Sequence, residues 1–308
     1  MPILRLNAGP DGLALHRSPA AALATLTTAA RGCGPIIVLI HGFKYDPTDP
    51  RHCPHDRLFS LAAQERAQWL RPLGFGCGDL REGLAIAFGW QARGHLWQAQ
   101  ASARTAGFAL AHALRRIRTA APHRPIHVIS HSMGSEVIFA ALHHLPRDTV
   151  KRIITITGAS YASTAREAMT TAAGRTAELL NITSRENDLF DLMFERLIAP
   201  PAPGDRAMST DLMLPNSLTL QLDCPRTLGV LSQFGAQIAA PSRRVCHWSG
   251  YTRGGALPFY ARVIRQADTL PLAALRCALP AVPSPRWSRM FALPSVPIPL
   301  PGRQKPAS

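Results

Sequence analysis

The chain has 308 residues, of which 46% are hydrophobic and 17% charged. That composition supplies one large core and excludes a disordered polyelectrolyte, and no run approaches the roughly 18 apolar residues of a membrane-spanning helix. The formal net charge is +15, which first suggests nucleic acid or an anionic surface, but only Lys44, Lys151 and Lys305 are lysines and the arginines are scattered. A real polyanion footprint clusters, so the excess reads as compositional bias, and no specific nucleic-acid partner is expected.

Ile3 to Asn7 and Leu13 to His16 read as two short strands about a Gly-Pro-Asp-Gly turn. Ala20 to Ala30 has helical composition. Pro35 to Ile40 is a continuous β-branched run, as a strand buried on both faces requires. Asp46 to Pro54 holds three prolines and reads as a loop. Leu84 to Trp90 is a second buried strand. Trp97 to Ala120 is a long helix with Gly107, Leu110, Leu114 and Ile117 on one face. Strands at Pro125 to Ile129, Ile153 to Thr157 and Leu179 to Thr183 alternate with helices at Met133 to His144 and Ala162 to Ala173. The alternation predicts an α/β fold, a mostly parallel sheet with helices on both faces. Beyond residue 192 the pattern is weaker. Leu218 to Leu222 reads as a strand, Arg243 to Cys246 as a candidate last strand and Pro258 to Ala267 as a helix. Eight prolines fall in the last 29 residues, so residues 1–279 are taken as one domain and 280–308 as an extended tail outside the fold.

Six cysteines form no CxxC pair and no metal spacing, and the amino terminus lacks a basic segment followed by an apolar run. Reduced thiols, no metal, no cofactor, no signal peptide and a cytoplasmic location are the expectations.

The chemistry concentrates at Ser130-His131-Ser132-Met133-Gly134, directly after a buried strand and at the start of a helix. A nucleophile elbow has this form: the chain turns sharply, so the positions two before and two after the nucleophile must be small. Serine replaces the first glycine of the usual G-x-S-x-G. Ser132 would then project at the carboxyl end of the sheet, where such folds bind ligands. Acyl transfer also needs two preorganised N–H donors for the oxyanion. Met133 N–H, next to the nucleophile, is one candidate. Phe43 N–H, in His41-Gly42-Phe43 after the first buried strand, is the other. His41 reads as a loop residue, not as a catalytic base.

Through HGF, SHSMG and the strand order, residues 35–265 resemble the α/β-hydrolase superfamily, of the serine esterase and lipase kind. The resemblance implies a Ser, acid, His triad in that chain order. His247 is then the only histidine beyond the candidate acids, and it becomes the implied base. The acid is sought in Ser184-Arg185-Glu186-Asn187-Asp188-Leu189-Phe190-Asp191. Asp188 fits the family's placement, with Asp191 and Glu186 as alternatives. The implied activity is cleavage of a carboxylic ester of a small acyl substrate through an acyl-enzyme. Acyl transfer to an alcohol, thioester or amide cleavage, and a non-catalytic scaffold remain open, as does the oligomeric state. Only about 20 residues separate the strands ending near Thr157 and starting near Leu179, so no large cap is expected there. A lid would come from residues 44–60 or 192–240. Met193, Phe194, Leu197 and Ile198 would line an acyl site or belong to the core. Trp248 and Tyr251 flank the base, and Phe88 to Gly94 would border the cleft.

Overall fold

The computed structural model describes residues 3–9, 12–62, 68–210, 212–280, 284 and 286. In chain order the elements are β1 (Ile3–Gly9), β2 (Gly12–Leu15), α1 (Ala22–Ala30), β3 (Ile36–Ile40), β4 (Leu84–Gly89), α2 (Leu96–Ala120), β5 (Ile126–His131), α3 (Gly134–Leu142), β6 (Arg152–Ile156), α4 (Ala162–Thr170), β7 (Glu178–Thr183), α5 (Asp188–Leu197), β8 (Ser217–Gln221), α6 (Pro225–Gln233), α7 (Ser249–Thr252), α8 (Ala256–Arg265) and α9 (Leu272–Ala278). The strands form one sheet in the order β2-β1-β4-β3-β5-β6-β7-β8. Only the β1–β2 hairpin is antiparallel.

The period of two in each strand splits the core into two layers. Val38, Ile86, Val128 and Ile153 face the layer of α1 to α4 with Leu110, Leu114 and Ile117. Ile37, Leu39, Ile129 and Ile154 face the opposite layer, where α8 and the loop after β3 supply Tyr260, Ile264, Phe59 and Trp69. In α2 the expected face is the buried one. Gly107 sits where a Cβ would come within 2.6 Å of Ala140 Cβ, so α2 and α3 touch backbone to backbone.

Register places the site. Ile40 lies level with Phe88 and with Ser130. His131 lies level with Ile156, and Ile156 with Ile182. The loops that leave β3, β4, β5, β6 and β7 therefore emerge at one edge of the sheet. Between β6 and β7 lie only α4 and a 3-10 turn, so no large cap is inserted there.

Two expectations need correction. Arg243 to Cys246 is loop and not a strand, and β8 ends the sheet on that side. Residues 241–245 are exposed, so this stretch has no buried face to present to a sheet. The tail is not wholly outside the fold either: Arg286 packs into the body between β7 and α5, while most of the remaining tail lies outside the described residues. Of the apolar residues of α5, Phe194 is buried and followed by buried Ile198, whereas Met193 and Leu197 are exposed.

Candidate active site

Ser132 stands between the end of β5 and the first turn of α3, with φ 52. A non-glycine residue at positive φ is strained and persists only where its surroundings fix it. Here Ser132 N–H donates to Ile156 O (3.0 Å), and Ser132 O accepts from Ala159 N (3.0 Å) and Ser135 N (3.1 Å). Both flanking glycines are sterically required. A Cβ on Gly134 would lie 2.6 Å from His41 O. A Cβ on Gly42 would lie 2.6 Å from Ser132 Cβ and 2.9 Å from His131 O. The loop after β3 thus rests its backbone directly on the serine. Ser130, in place of the first motif glycine, is fully buried in β5.

That loop is braced from β4. Lys44 N donates to Ala92 O (2.8 Å) and Ala92 N to Tyr45 O (3.0 Å). Trp90 stacks on His41 with ring centroids 5.5 Å apart. Trp90 N donates to His41 Nε2 (3.1 Å) and Trp90 Nε1 to His41 O (3.0 Å). An accepting Nε2 makes His41 a neutral Nδ1–H tautomer, which donates to Gly42 O (2.9 Å). Burial pushes its pKa down to about 4. His41 is a structural brace for the loop. Phe43 N–H and Met133 N–H donate to no acceptor among the described residues.

His247 lies just before α7. Its ring sits 4.7 Å from that of His131, the neighbour of Ser132, and 4.8 Å from Phe190. Its carbonyl accepts from Thr157 Oγ1 and from His131 Nε2, both at 3.3 Å. The backbone of His247 is thereby tied to the turn at Ser132 and to the end of β6. Its Nδ1 donates to Asn187 Oδ1 at 2.6 Å. Asp188 is directed elsewhere: its Oδ1 lies 3.6 Å from Arg286 Nη1. Asp191 accepts from Asn187 Nδ2 (2.9 Å) and pairs with Arg286 (2.5 Å). Glu186 is buried in an ion pair with Arg253. The residue in contact with the imidazole is therefore Asn187, next in sequence to the expected Asp188.

Residues 20–163 match the family described as an alpha/beta hydrolase of unknown function (DUF900). No curated protein matches the chain. With the mostly parallel eight-stranded sheet, the match shows an α/β-hydrolase fold. The matched span carries β3, β4, β5 and α3, hence the HGF loop and the SHSMG elbow. It stops short of Asn187 and His247, whose pairing is seen in the structure alone.

In this α/β-hydrolase fold the imidazole environment is decided by burial. Enclosure of the His247 ring, and then the charge of Lys44, push its pKa down to about 4. The ring is neutral at pH 7, and an Nδ1–H donated to Asn187 leaves Nε2 as the lone-pair nitrogen. His131 is neutral as well, driven well below its ordinary value by burial and by His247. Tyr251 is buried edge-on to His131 at 4.9 Å, while Trp248 is exposed. Two supporting residues escape a sequence reading. Asn187 is hidden beside better-looking acids, and Arg286 follows Asp191 by 95 residues.

One group among the described residues brings possible metal ligands together: His16, Cys53 and Asp56, with donor atoms within 4.8 Å of one another. Asp56 already holds Arg17 through two hydrogen bonds, and the group lies at the β1–β2 corner.

The glycine contacts give a first expectation. Gly42→Ala forces a methyl into Ser132 Cβ and a backbone carbonyl, neither of which is a flexible side-chain end. Turnover should fall about 100-fold or more, because an ångström of misplacement at a reacting atom costs that much. Steady-state kinetics with circular dichroism on the same preparation checks this. Wild-type turnover in a folded Gly42→Ala variant would mean that the loop is free to yield.

Proposed function

We propose that the protein is a serine hydrolase that cleaves carboxylic esters through an acyl-enzyme on Ser132. The observation that carries the reading is the strained serine at the strand-to-helix turn, backed by Gly42, whose neighbour His131 packs against a neutral His247 held by Asn187. Ser132 Oγ attacks the ester carbonyl carbon as His247 Nε2 takes its proton. Negative charge develops on the carbonyl oxygen, and the Phe43 and Met133 N–H groups are the donors available to it, at the N-terminus of α3. The tetrahedral adduct collapses, His247 returns the proton to the leaving alcohol, and the acyl group stays on Ser132. Water then attacks with His247 as base, releasing acid and free serine.

In this reading Asn187 fills the position of the expected Asp188. An amide oxygen orients the imidazole as a carboxylate would but adds no charge. That agrees with an imidazole pKa near 4 in place of a raised one. The same arrangement of base and amide serves cysteine hydrolases on other folds.

The test is fluorophosphonate labelling of the intact chain with peptide mapping, alongside a panel of p-nitrophenyl esters of increasing acyl length. Label on Ser132 that requires folded protein, with ester turnover, is the expected result. A further signature is the pH profile. With His247 already neutral, kcat/KM should stay level from pH 8 down to about 6, showing no titration at the ordinary histidine value. Folded protein that neither takes the label nor turns over any ester would overturn the assignment.

A further inference from the structure

We propose that Arg286, from the proline-rich segment beyond α9, is a positioning residue of this site: it holds Asp191 as an anion, and the anion makes Asn187 present its oxygen to His247. The inference rests on the hydrolase reading only for its kinetic consequences. The contacts themselves are structural.

An asparagine amide has an oxygen end and a nitrogen end of nearly the same shape. What Asn187 offers to His247 decides which imidazole nitrogen carries the proton. If the oxygen faces Nδ1, the ring is Nδ1–H and Nε2 is free to take a proton from Ser132. If the NH2 faces it, Nδ1 must accept, the proton moves to Nε2, and the base is lost. Nothing in His247 enforces the first arrangement. Asp191 does, provided that it is ionised, because a carboxylate only accepts and so draws the NH2 of Asn187 to itself (2.9 Å).

Keeping Asp191 ionised is costly. It is buried in the first turn of α5, one turn from Asp188, which is also buried. Burial raises its pKa, and Asp188 adds to the rise. Among the described residues, these groups face it. Asn187 and Ser209 are neutral, Asp188 is acidic, and Arg286 is the cation in contact. Neighbouring charges are already matched: Glu186 with Arg253 and Arg185 with Asp223. On the far side of Asn187, His247 is faced by Lys44 and by neutral His131.

Arg286 is built into this corner. One guanidinium nitrogen reaches Asp191 and Ser209, with Asp188 at 3.6 Å. The other reaches Thr183 Oγ1 (2.7 Å) and Ser184 O (3.4 Å), at the end of β7. The fork therefore ties the end of β7 to the first turn of α5, on either side of Asn187. A planar five-donor group can do this, whereas a lysine ammonium can hold only part of it.

The test uses the full chain labelled with 15N-histidine, comparing wild type with Arg286→Ala, Arg286→Lys and Asp191→Asn. The His247 signals are assigned by their absence in His247→Gln. Wild type should show an Nδ1–H tautomer from pH 8 to about 6. In Arg286→Ala the Nε2–H form should grow as pH falls and Asp191 takes up a proton. Asp191→Asn should show the mixture at every pH. Arg286→Lys should recover most of the wild-type tautomer. In ester hydrolysis, kcat of Arg286→Ala should fall roughly 10- to 100-fold with KM nearly unchanged, and an acid limb should enter the profile that was level.

An Arg286→Ala protein that keeps the wild-type tautomer and a level profile overturns the proposal, even if its melting temperature drops. If that variant does not fold, Arg286→Lys and Asp191→Asn read the same tautomer. If the wild type cleaves no ester, the hydrolase reading fails, and the tautomer measurement still decides the role of Arg286.

Discussion

Ser132→Ala is expected to lower kcat for ester hydrolysis by about 10^4- to 10^6-fold and to abolish fluorophosphonate labelling, with little change in melting temperature. The size of the loss follows from what is removed. Without Oγ no acyl-enzyme forms, and only binding and the amide donors remain to favour direct attack by water. The small effect on folding follows from the elbow. Its backbone is held by the hydrogen bonds of Ser132 N and O and by the tight approaches of Gly42 and Gly134, none of which involves the hydroxyl. Alanine and serine are similar in their tolerance of φ 52, so no new strain appears. A variant that keeps most of the activity would move the nucleophile elsewhere.

The same assay separates Asn187 from Asp188. Asn187→Ala removes the group that, among the described residues, holds His247 Nδ1, and should cost about 100- to 1,000-fold in kcat. That is less than the loss of a carboxylate partner, because a neutral amide contributes orientation and not charge. Asp188→Asn removes one of the two carboxylates near Arg286 and should have the smaller effect.

The difference between these two residues also marks where sequence reasoning stops. The strands from Ile36 to Thr183 were legible because each is a short apolar run buried on both faces, and the elbow was legible because steric demands at Gly42 and Gly134 leave a local signature. His247 was singled out by the chain order that the resemblance implies, and the structure sets its ring 4.7 Å from that of His131. Asn187 was not, because the choice turns on one residue at the end of β7. Ser184 caps a 3-10 turn, its hydroxyl accepting from Glu186 N at 3.2 Å. That turn leaves Asn187 toward the imidazole and starts α5 with Asp188 toward Arg286. Arg286 itself sits in a proline-rich stretch whose composition says only that it forms no core. Composition has no means of showing that one arginine in it completes a buried charge cluster.

The second large effect concerns pH and the stability of the fold. Four histidines are essentially inaccessible: His41, His55, His127 and His131. Burial is the first cause of depression in each. It takes His41 to about 4, His55 to about 2 and His127 to about 3, and holds His131 well below its ordinary 6.5. Nearby cations add to it, Arg152 and Lys151 at His127. His55, His127 and His131 each have an Nδ1 without a hydrogen-bond partner among the described residues. An imidazolium at any of them would bury a donor and a charge together. Above pH 6.5 folded and unfolded chains bind the same number of protons at these rings, and they contribute no pH dependence. As pH falls below 6.5 the unfolded chain takes protons that the folded one refuses, so stability declines until the folded values are reached. Each ring contributes a slope of up to about 1.4 kcal/mol per pH unit, and four together several kcal/mol. Against a total stability of about 5–15 kcal/mol, cooperative unfolding should centre near pH 5. Near-ultraviolet circular dichroism and tryptophan fluorescence across pH 8 to 4 would follow it. His127→Leu, which deletes one titrating ring, should move the midpoint to lower pH. Stability that stays level from pH 7 to about 4.5 would show instead that the folded protein admits protons to these rings. The consequence for activity is direct: the loss of turnover in acid should track unfolding and not the titration of His247, which would come lower still.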